Sequence, residues 1–311
     1  MTEVNQTKYY RIQNQVSQKY LLAGSWGKSP TDYSVWQYGI DQEESNSFYD
    51  VDGFLWQIVP VATDSANITW FRIINKVSGF QLCAGSWGTV PSDPNIKQYP
   101  PTYDKANSNY NTDGFLWQFD GTGNVINKVS GRYLLAGSWG IVSSDNWVWQ
   151  YALTQDDNNP SYNANGFHWN LEAFSDVPTK TIYVSRKGQS NNIKLRDSEG
   201  HQGGRGNGNS GNDDDITTSA DYGNAVVWEL DPDDHPVSLY SLNGITKKSD
   251  SPADILVGTP AFYSGQYQAT VVRDSALANQ IETYNIKYQV DASGPVLEDD
   301  PKLKLEPTTT R

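Results

Sequence analysis

Ala23-Gly-Ser-Trp-Gly27 returns as Ala84 to Gly88 and again as Ala136 to Gly140. Gly53-Phe-Leu-Trp-Gln57 returns as Gly114 to Gln118 and, altered, as Gly166-Phe-His-Trp-Asn170. Thirty residues separate the leading Ala from the matching Gly in every copy, while the copies themselves start 61 and then 52 residues apart. The repeating unit is therefore fixed in length, and the extra residues of the first interval fall in Val59 to Asn67, read as a surface loop that tolerates insertion. A fixed-period repeat decides the architecture before any single element does.

Within each copy, apolar residues alternate over short runs such as Tyr9-Tyr-Arg-Ile-Gln and Trp70-Phe-Arg-Ile-Ile, punctuated by Gly, Asn, Asp, Ser and Pro. That is the strand-and-turn signature, at about four strands per copy. One copy cannot bury its own apolar face, so three must share a core around a pseudo-threefold axis and close their edges as barrels do. The expectation is an all-β chain opening with a β-trefoil over 1–176, its copies at 7–60, 68–121 and 122–174. Leu21, Leu82, Leu134, Phe54, Phe115, Phe167, Trp56, Trp117 and Trp169 are its expected core.

Composition agrees with an all-β chain. Among 311 residues, 13% are aromatic, with 11 Trp and 19 Tyr, and only 19% are charged, which suits short strands and aromatic surfaces. A net charge of −13 argues against nucleic acid, because phosphate binding needs a basic surface. The lone Cys83 excludes an intramolecular disulfide and reads as a buried thiol. Met1 to Lys8 carries no apolar signal core, and no apolar run is long enough to insert in a membrane. A cytoplasmic protein, or one released without a cleaved signal, is expected.

The polar residues that recur in register are the candidate site. Each set is counted from the leading Ala: Asp32, Asp93 and Asp145; Gln37, Gln98 and Gln150; Asn46, Asn107 and Asn159; Tyr49, Tyr110 and Tyr162. Asp52, Asp113 and Asn165 precede the closing Gly. Each taken singly reads equally as a turn cap. Together they supply the paired donors and acceptors that saccharide hydroxyls need. Trp26, Trp87 and Trp139 are the stacking candidates for an apolar sugar face, with Tyr38, Tyr99 and Tyr151 as alternates. Trp36 and Trp149 share one repeat position, where the second copy has Lys97, so a site lined by that position would differ in the middle copy.

Three segments carry a family resemblance: the Arg-Ile-x-Asn-x-x-Ser-Gly opening (Arg72 to Leu82, and Asn127 to Leu134), Trp36-Gln-Tyr38, and the Leu-Trp-Gln close. With these, residues 7–174 resemble the ricin-B-type trefoil lectins. The resemblance implies a non-enzymatic fold that binds glycans or glycoproteins at up to three sites, several weak sites together giving avidity, and it places the closing Trp of each copy in the interior. This chain departs from the family where its sugar ligands stand, with Leu22 or Ala23 in place of an early Asp and Gly53-Phe54 in place of an Asn-Gln pair. Galactose-type specificity is therefore not assured.

After Phe174 the repeat stops, and Ser175 to Lys180 reads as a linker into a second domain over 177–311. Runs such as Thr181-Ile-Tyr-Val, Ala225-Val-Val-Trp-Glu-Leu, Tyr267-Gln-Ala-Thr-Val-Val and Tyr284-Asn-Ile-Lys-Tyr-Gln-Val, with turns at Asn243-Gly and Ser293-Gly-Pro, predict a β-sandwich. Its end resembles bacterial inclusion-body and AidA-like proteins and cupredoxin-like sandwiches. A cupredoxin copper site is excluded, because only His201 and His235 of its ligand types fall there. The acidic, glycine-rich Gly203 to Asp215 and Asp231 to His235 read as loops rather than calcium sites, so neither metal nor cofactor is expected.

No phosphate loop, zinc-protease motif or nucleophile elbow occurs, so no enzyme is expected. The leading reading is a multivalent lectin whose second domain mediates homo-oligomeric assembly or a second recognition event. Its rival is a toxin or structural component in which the trefoil targets a receptor or protein and the sandwich is the effector; a trefoil that binds only protein is a third.

Overall fold

The computed structural model describes residues 4–27, 32–40, 50–88, 93–100, 111–137, 140, 145–153, 163–187, 189–204, 216–233, 239–299 and 302–306. It is all-β and divides into two units, Met1–Asp176 and Val177–Arg311. No helix among the described residues is long and apolar enough to cross a membrane.

In the first unit each copy supplies four strands. They are β1 (Lys8–Asn14), β2 (Tyr20–Ala23), β3 (Val35–Tyr38) and β4 (Trp56–Thr63), then β5 (Thr69–Asn75), β6 (Gln81–Ala84), β7 (Ile96–Tyr99) and β8 (Trp117–Phe119), then β9 (Val125–Asn127), β10 (Tyr133–Ala136), β11 (Val148–Tyr151) and β12 (Trp169–Asp176). The chain closes on itself, because β12 pairs antiparallel with β1 from Lys8↔Asp176 to Asn14↔Trp169. The pairs β4–β5 and β8–β9 take the equivalent places in the sequence. Tyr10↔Trp56 and Phe71↔Trp117 join β1 to β4 and β5 to β8, and the Trp169 amide donates to Gly123 O at 2.7 Å to join the β9 edge to β12. Six strands thus make a nearly closed, barrel-shaped ring among the described residues, the last seam held by the Asn124↔His168 bridge.

The ring encloses Ile12, Leu21, Trp56, Ile58, Ile73, Leu82, Trp117, Val125, Leu134 and Trp169, all essentially without solvent contact. Each of the three tryptophans donates its indole N–H to a buried carbonyl of its own copy: Leu21 O at 3.0 Å, Leu82 O at 3.0 Å and Leu134 O at 3.1 Å. A buried indole therefore carries no unmet donor.

Two sequence expectations change in detail. The Val59 to Asn67 insertion is not simply a loop: β4 runs through it to Thr63, paired with β5 across a bulge between Pro60 and Ala62, leaving a short turn capped by Asp64. Alternation simply continues there, so the added residues lengthen a ladder. The expected linker shrinks to Val177-Pro178, since β12 runs to Asp176 and the next strand begins at Thr179.

The second unit holds β13 (Thr179–Arg186), β14 (Ile193–Asp197), β15 (Gln202–Gly204), β16 (Thr217–Asp221), β17 (Ala225–Leu230), β18 (Ser241–Lys247), β19 (Leu256–Tyr263), β20 (Gln266–Val271), β21 (Ile281–Gln289), β22 (Leu297–Asp299) and β23 (Lys302–Glu306). One sheet has the order β15-β14-β13-β17-β20-β19 and the other β16-β23-β21-β18, with β22 beside β21; β13–β17 and β16–β23 are parallel pairs. One apolar core takes side chains from both sheets, centred on Trp228 and Tyr284, whose rings meet edge-on at 5.3 Å. Asn243-Gly244 is no turn but a bulge inside β18, where Leu242 and Gly244 flank the register shift. Most of Gly203 to Asp215 lies outside the described residues.

Candidate functional site

Most residues that recur in all three copies turn out to hold the copies together. Gln37, Gln98 and Gln150 are fully buried. Their Oε1 atoms accept from Ser17, Ser78 and Ser130 Oγ at 2.8, 2.8 and 2.7 Å. Their Nε2 atoms donate to the Asp145, Asp32 and Asp93 carbonyls of another copy at 3.2, 3.0 and 2.9 Å. Each glutamine is a staple from one copy to the next in cyclic order, and no solute reaches it; this corrects their assignment as sugar contacts.

A second cyclic set was not singled out from the sequence, although it lies in the quoted opening. Asn14, Asn75 and Asn127 are buried. Their Nδ2 atoms donate to Gly166 and His168 O, to Gly53 and Leu55 O, and to Gly114 and Leu116 O, all at 2.9–3.2 Å. Their Oδ1 atoms take the amides two and three residues on. An Asn is the residue that can donate twice and accept twice from one buried position.

The aspartates are turn caps. Asp32 accepts from the Ser25 and Ser34 amides at 2.6 and 2.8 Å, and Asp93 from the Ser86 and Asn95 amides at 2.9 and 3.0 Å. Burial pushes both carboxyls up, but these hydrogen bonds outweigh it and hold them below the usual carboxylate range. Asp145 caps Trp147 N at 2.9 Å. Asp52 pairs with Lys76 at 2.8 Å and Asp113 with Lys128 at 3.2 Å, both at the surface, while the third copy sets neutral Asn165, exposed, at the matching position.

The glycine pairs are also structural. A Cβ on Gly53 would lie 2.3 Å from Gly27 Cα, one on Gly114 2.2 Å from Gly88 Cα, and one on Gly166 2.5 Å from Gly140 Cα. Gly27, Gly88 and Gly140 also have φ near +72°, so the repeated Trp-Gly and Asp/Asn-Gly elements mark one backbone contact. Trp26 and Trp87 lie on the short turns Ser25–Gly27 and Ser86–Gly88. Trp139, Asn46, Asn107, Asn159, Tyr49, Tyr110 and Tyr162 lie outside the described residues. Tyr99 is buried against Tyr33 and Phe115, which withdraws it as a stacking surface, whereas Tyr38 and Tyr151 keep partial exposure.

The positions that differ among copies converge on one place. β3, β7 and β11 meet in a triangle through the bridges Ser34↔Lys97, Asn95↔Trp149 and Trp36↔Trp147. The Gln98, Gln150 and Gln37 amides close it by donating to Tyr33, Pro94 and Asn146 O at 2.8–2.9 Å. The repeat position held by Trp36, Lys97 and Trp149 therefore lies around the pseudo-threefold axis rather than in three separate sites. Trp147 belongs to the position held in the other copies by Ser34 and Asn95, and it inserts between Trp36, 4.1 Å away, and Trp149, 5.7 Å away, at tilts of 39° and 34°. It is 46% exposed. A large open indole on an aromatic stack is an uncommon surface feature, and Trp147 is the residue that sequence reading missed. The signal was available: it breaks the repeat.

For metals, one group among the described residues brings His and carboxylates together, Asp197, Glu199 and His201 at the β14–β15 turn. Buried Asp197 takes the Glu199 and His201 amides and His201 Nδ1 at 2.9–3.0 Å, and Lys180 pairs with Glu199. The hydrogen bond and charge of Asp197 raise the His201 pKa. This network is that of a capped turn, with a lysine already answering the carboxylate charge.

No family model matches the chain, and no curated protein matches it. Among the solved structures that match is a Caenorhabditis elegans structural-genomics protein of unknown function, 14% identical, with a TM-score of 0.34 over 54% of this chain and 94% of that one. That likeness is too distant to bear on fold or function.

Proposed function

We propose that the first unit is a ricin-B-like β-trefoil that binds glycans, joined to a β-sandwich that serves assembly or a second recognition role, and that the protein is a lectin rather than an enzyme. The observation that carries this reading is the Trp36–Trp147–Trp149 stack at the axis, with Trp147 open to solvent. An aromatic face offers the apolar side of a pyranose a flat partner, and its value grows when the indole is held by neighbours and loses little freedom on binding. Lys97 and Asn95, from the middle copy, stand beside the stack and supply donors and an acceptor for sugar hydroxyls. Among the residues first expected to bind sugar, the partly exposed Tyr38 and Tyr151 and the surface Asp52, Asp113 and Asn165 remain as peripheral contacts.

A glycan array probed with the full chain tests the reading. Wild type is expected to retain a restricted set of glycans, and Trp147→Ala to lose them while still unfolding cooperatively on heating. A folded wild type that retains no glycan would overturn the lectin reading and favour a protein-binding role for the first unit.

A further inference from the structure

The third copy lacks two aromatic residues that the others carry. Tyr9-Tyr10 of the first copy and Trp70-Phe71 of the second correspond, at the same 61- and 52-residue offsets, to Thr122-Gly123 of the third. Tyr9, Tyr10, Trp70 and Phe71 are all buried, with Tyr10 and Phe71 in the shared core, whereas Thr122 is exposed. A cleft of 290 Å³ opens where those rings are missing, lined by Phe119, Trp169, Leu171, Gly121 to Gly123, Gln15 and Asn170. Among the described residues no ionisable side chain lines it.

The cleft has a polar rim. Gln15 Nε2 donates to Asn170 Oδ1 at 2.9 Å between two exposed side chains, orienting the amides against each other. Gln15 Oε1 and Asn170 Nδ2 then have no protein partner among the described residues, one an acceptor and the other a donor. Thr122 Oγ1 is already tied, donating to Asp120 at 2.8 Å and accepting from Asn124 at 2.9 Å. A volume at the lower end of the small-molecule range, about 300 Å³, with an apolar floor and one free donor–acceptor pair, fits a single six-membered ring bearing one hydroxyl.

We propose that this cleft binds a phenolic ring, taking up the packing that Tyr10 and Phe71 provide in the sister copies. The ring lies against Phe119 and Leu171, and its hydroxyl donates to Gln15 Oε1 and accepts from Asn170 Nδ2. Such a ring arrives either on a free aryl compound or as a tyrosine side chain of a partner protein. The site is separate from the tryptophan stack at the axis and stands or falls without it.

Ligand-observed NMR titration of the full chain with p-cresol tests the proposal. Wild type is expected to bind saturably, Thr122→Tyr to bind at least about tenfold more weakly, because a tyrosine ring at this cleft-lining position then competes for the space, and Asn170→Ala about threefold more weakly. Thr122 is exposed, so that variant is expected to fold, at a somewhat lower midpoint because the Asp120 and Asn124 contacts of its hydroxyl are lost. Tighter binding of a tyrosine-bearing peptide than of p-cresol assigns the ring to a protein partner, and the reverse order to a free aryl compound. Absent saturation by folded wild type, equal binding to wild type and Thr122→Tyr, or displacement only by methyl hexopyranosides, overturns the proposal.

Discussion

The two units of this chain differ in how far they explain themselves. The first is written three times, so every position carries its own internal control. Where the same buried polar residue stands in all three copies, as with Gln37/Gln98/Gln150 and Asn14/Asn75/Asn127, it closes the same hydrogen bonds between copies. Where the copies disagree, at Trp36/Lys97/Trp149, Ser34/Asn95/Trp147 and Tyr10/Phe71/Gly123, the framework makes no common demand and the surface is free to specialise. The second unit is written once, and its buried Trp228, Tyr284 and Glu282 offer no sister position to judge them by. Repetition, in this molecule, identifies scaffold, and departure from it identifies candidate function.

That contrast is sharpest at the shared core. Trp117→Ala is expected to destabilise the first unit by about 3–5 kcal/mol, through the cavity and the orphaned Leu82 carbonyl. Chemical unfolding followed by circular dichroism measures it, and a loss below about 1 kcal/mol would mean that the three copies do not share one core. Gln98→Ala comes next, at about 2 kcal/mol, since Ser78 Oγ and the Asp32 carbonyl both lose a partner in a dry site. Equal losses from Gln37→Ala and Gln150→Ala would establish the threefold equivalence of the staples; one loss near zero would break it.

Two sets of carboxyls, one in each unit, answer acid in opposite senses. Asp32 and Asp93 are held below their unfolded pKa, so their stabilisation is present above that value and is lost as pH falls through the folded one. Glu282 is buried, and its carboxylate takes the Ile255 and Leu256 amides at 2.5 and 2.7 Å, yet burial outweighs those bonds and raises its pKa. Its contribution is therefore present at low pH and lost as pH rises through the raised value. Thermal scans of Glu282→Gln beside wild type, from about pH 4 to about pH 8, are expected to show the variant gaining relative stability with rising pH. A constant difference would contradict the assignment. The smallest expected effect on stability is that of Trp147→Ala, about 1 kcal/mol, because the half-exposed indole loses its two ring contacts but leaves no enclosed cavity.

Much of the fold was legible because it rests on patterns that physical chemistry makes local: alternation for strands, and a fixed thirty-residue spacing for the unit. The nine core positions named from the repeat, Trp56 and Leu82 among them, are buried. The site was less legible, for a physical reason. Recurrent Asp, Asn and Gln serve equally as caps or as ligands, and only three-dimensional partners separate the two roles. Gln98 shows this best, its amide being saturated by Ser78 and by an Asp32 carbonyl 66 residues away. Trp36, Trp147 and Trp149 stand far apart in sequence, and their meeting follows from the triangle of β3, β7 and β11. The β4–β5 extension and the Asn243-Gly244 bulge escaped because a turn-forming dipeptide or an added length is also compatible with a continuing ladder.

The most direct test of the central claim is saturation-transfer NMR on the full chain with its best array glycan, comparing wild type with Trp147→Ala. Transfer to the sugar ring protons in wild type and its loss in the folded variant is the result this account predicts. Equal transfer to both proteins would contradict it, and would place glycan contact away from the tryptophan stack.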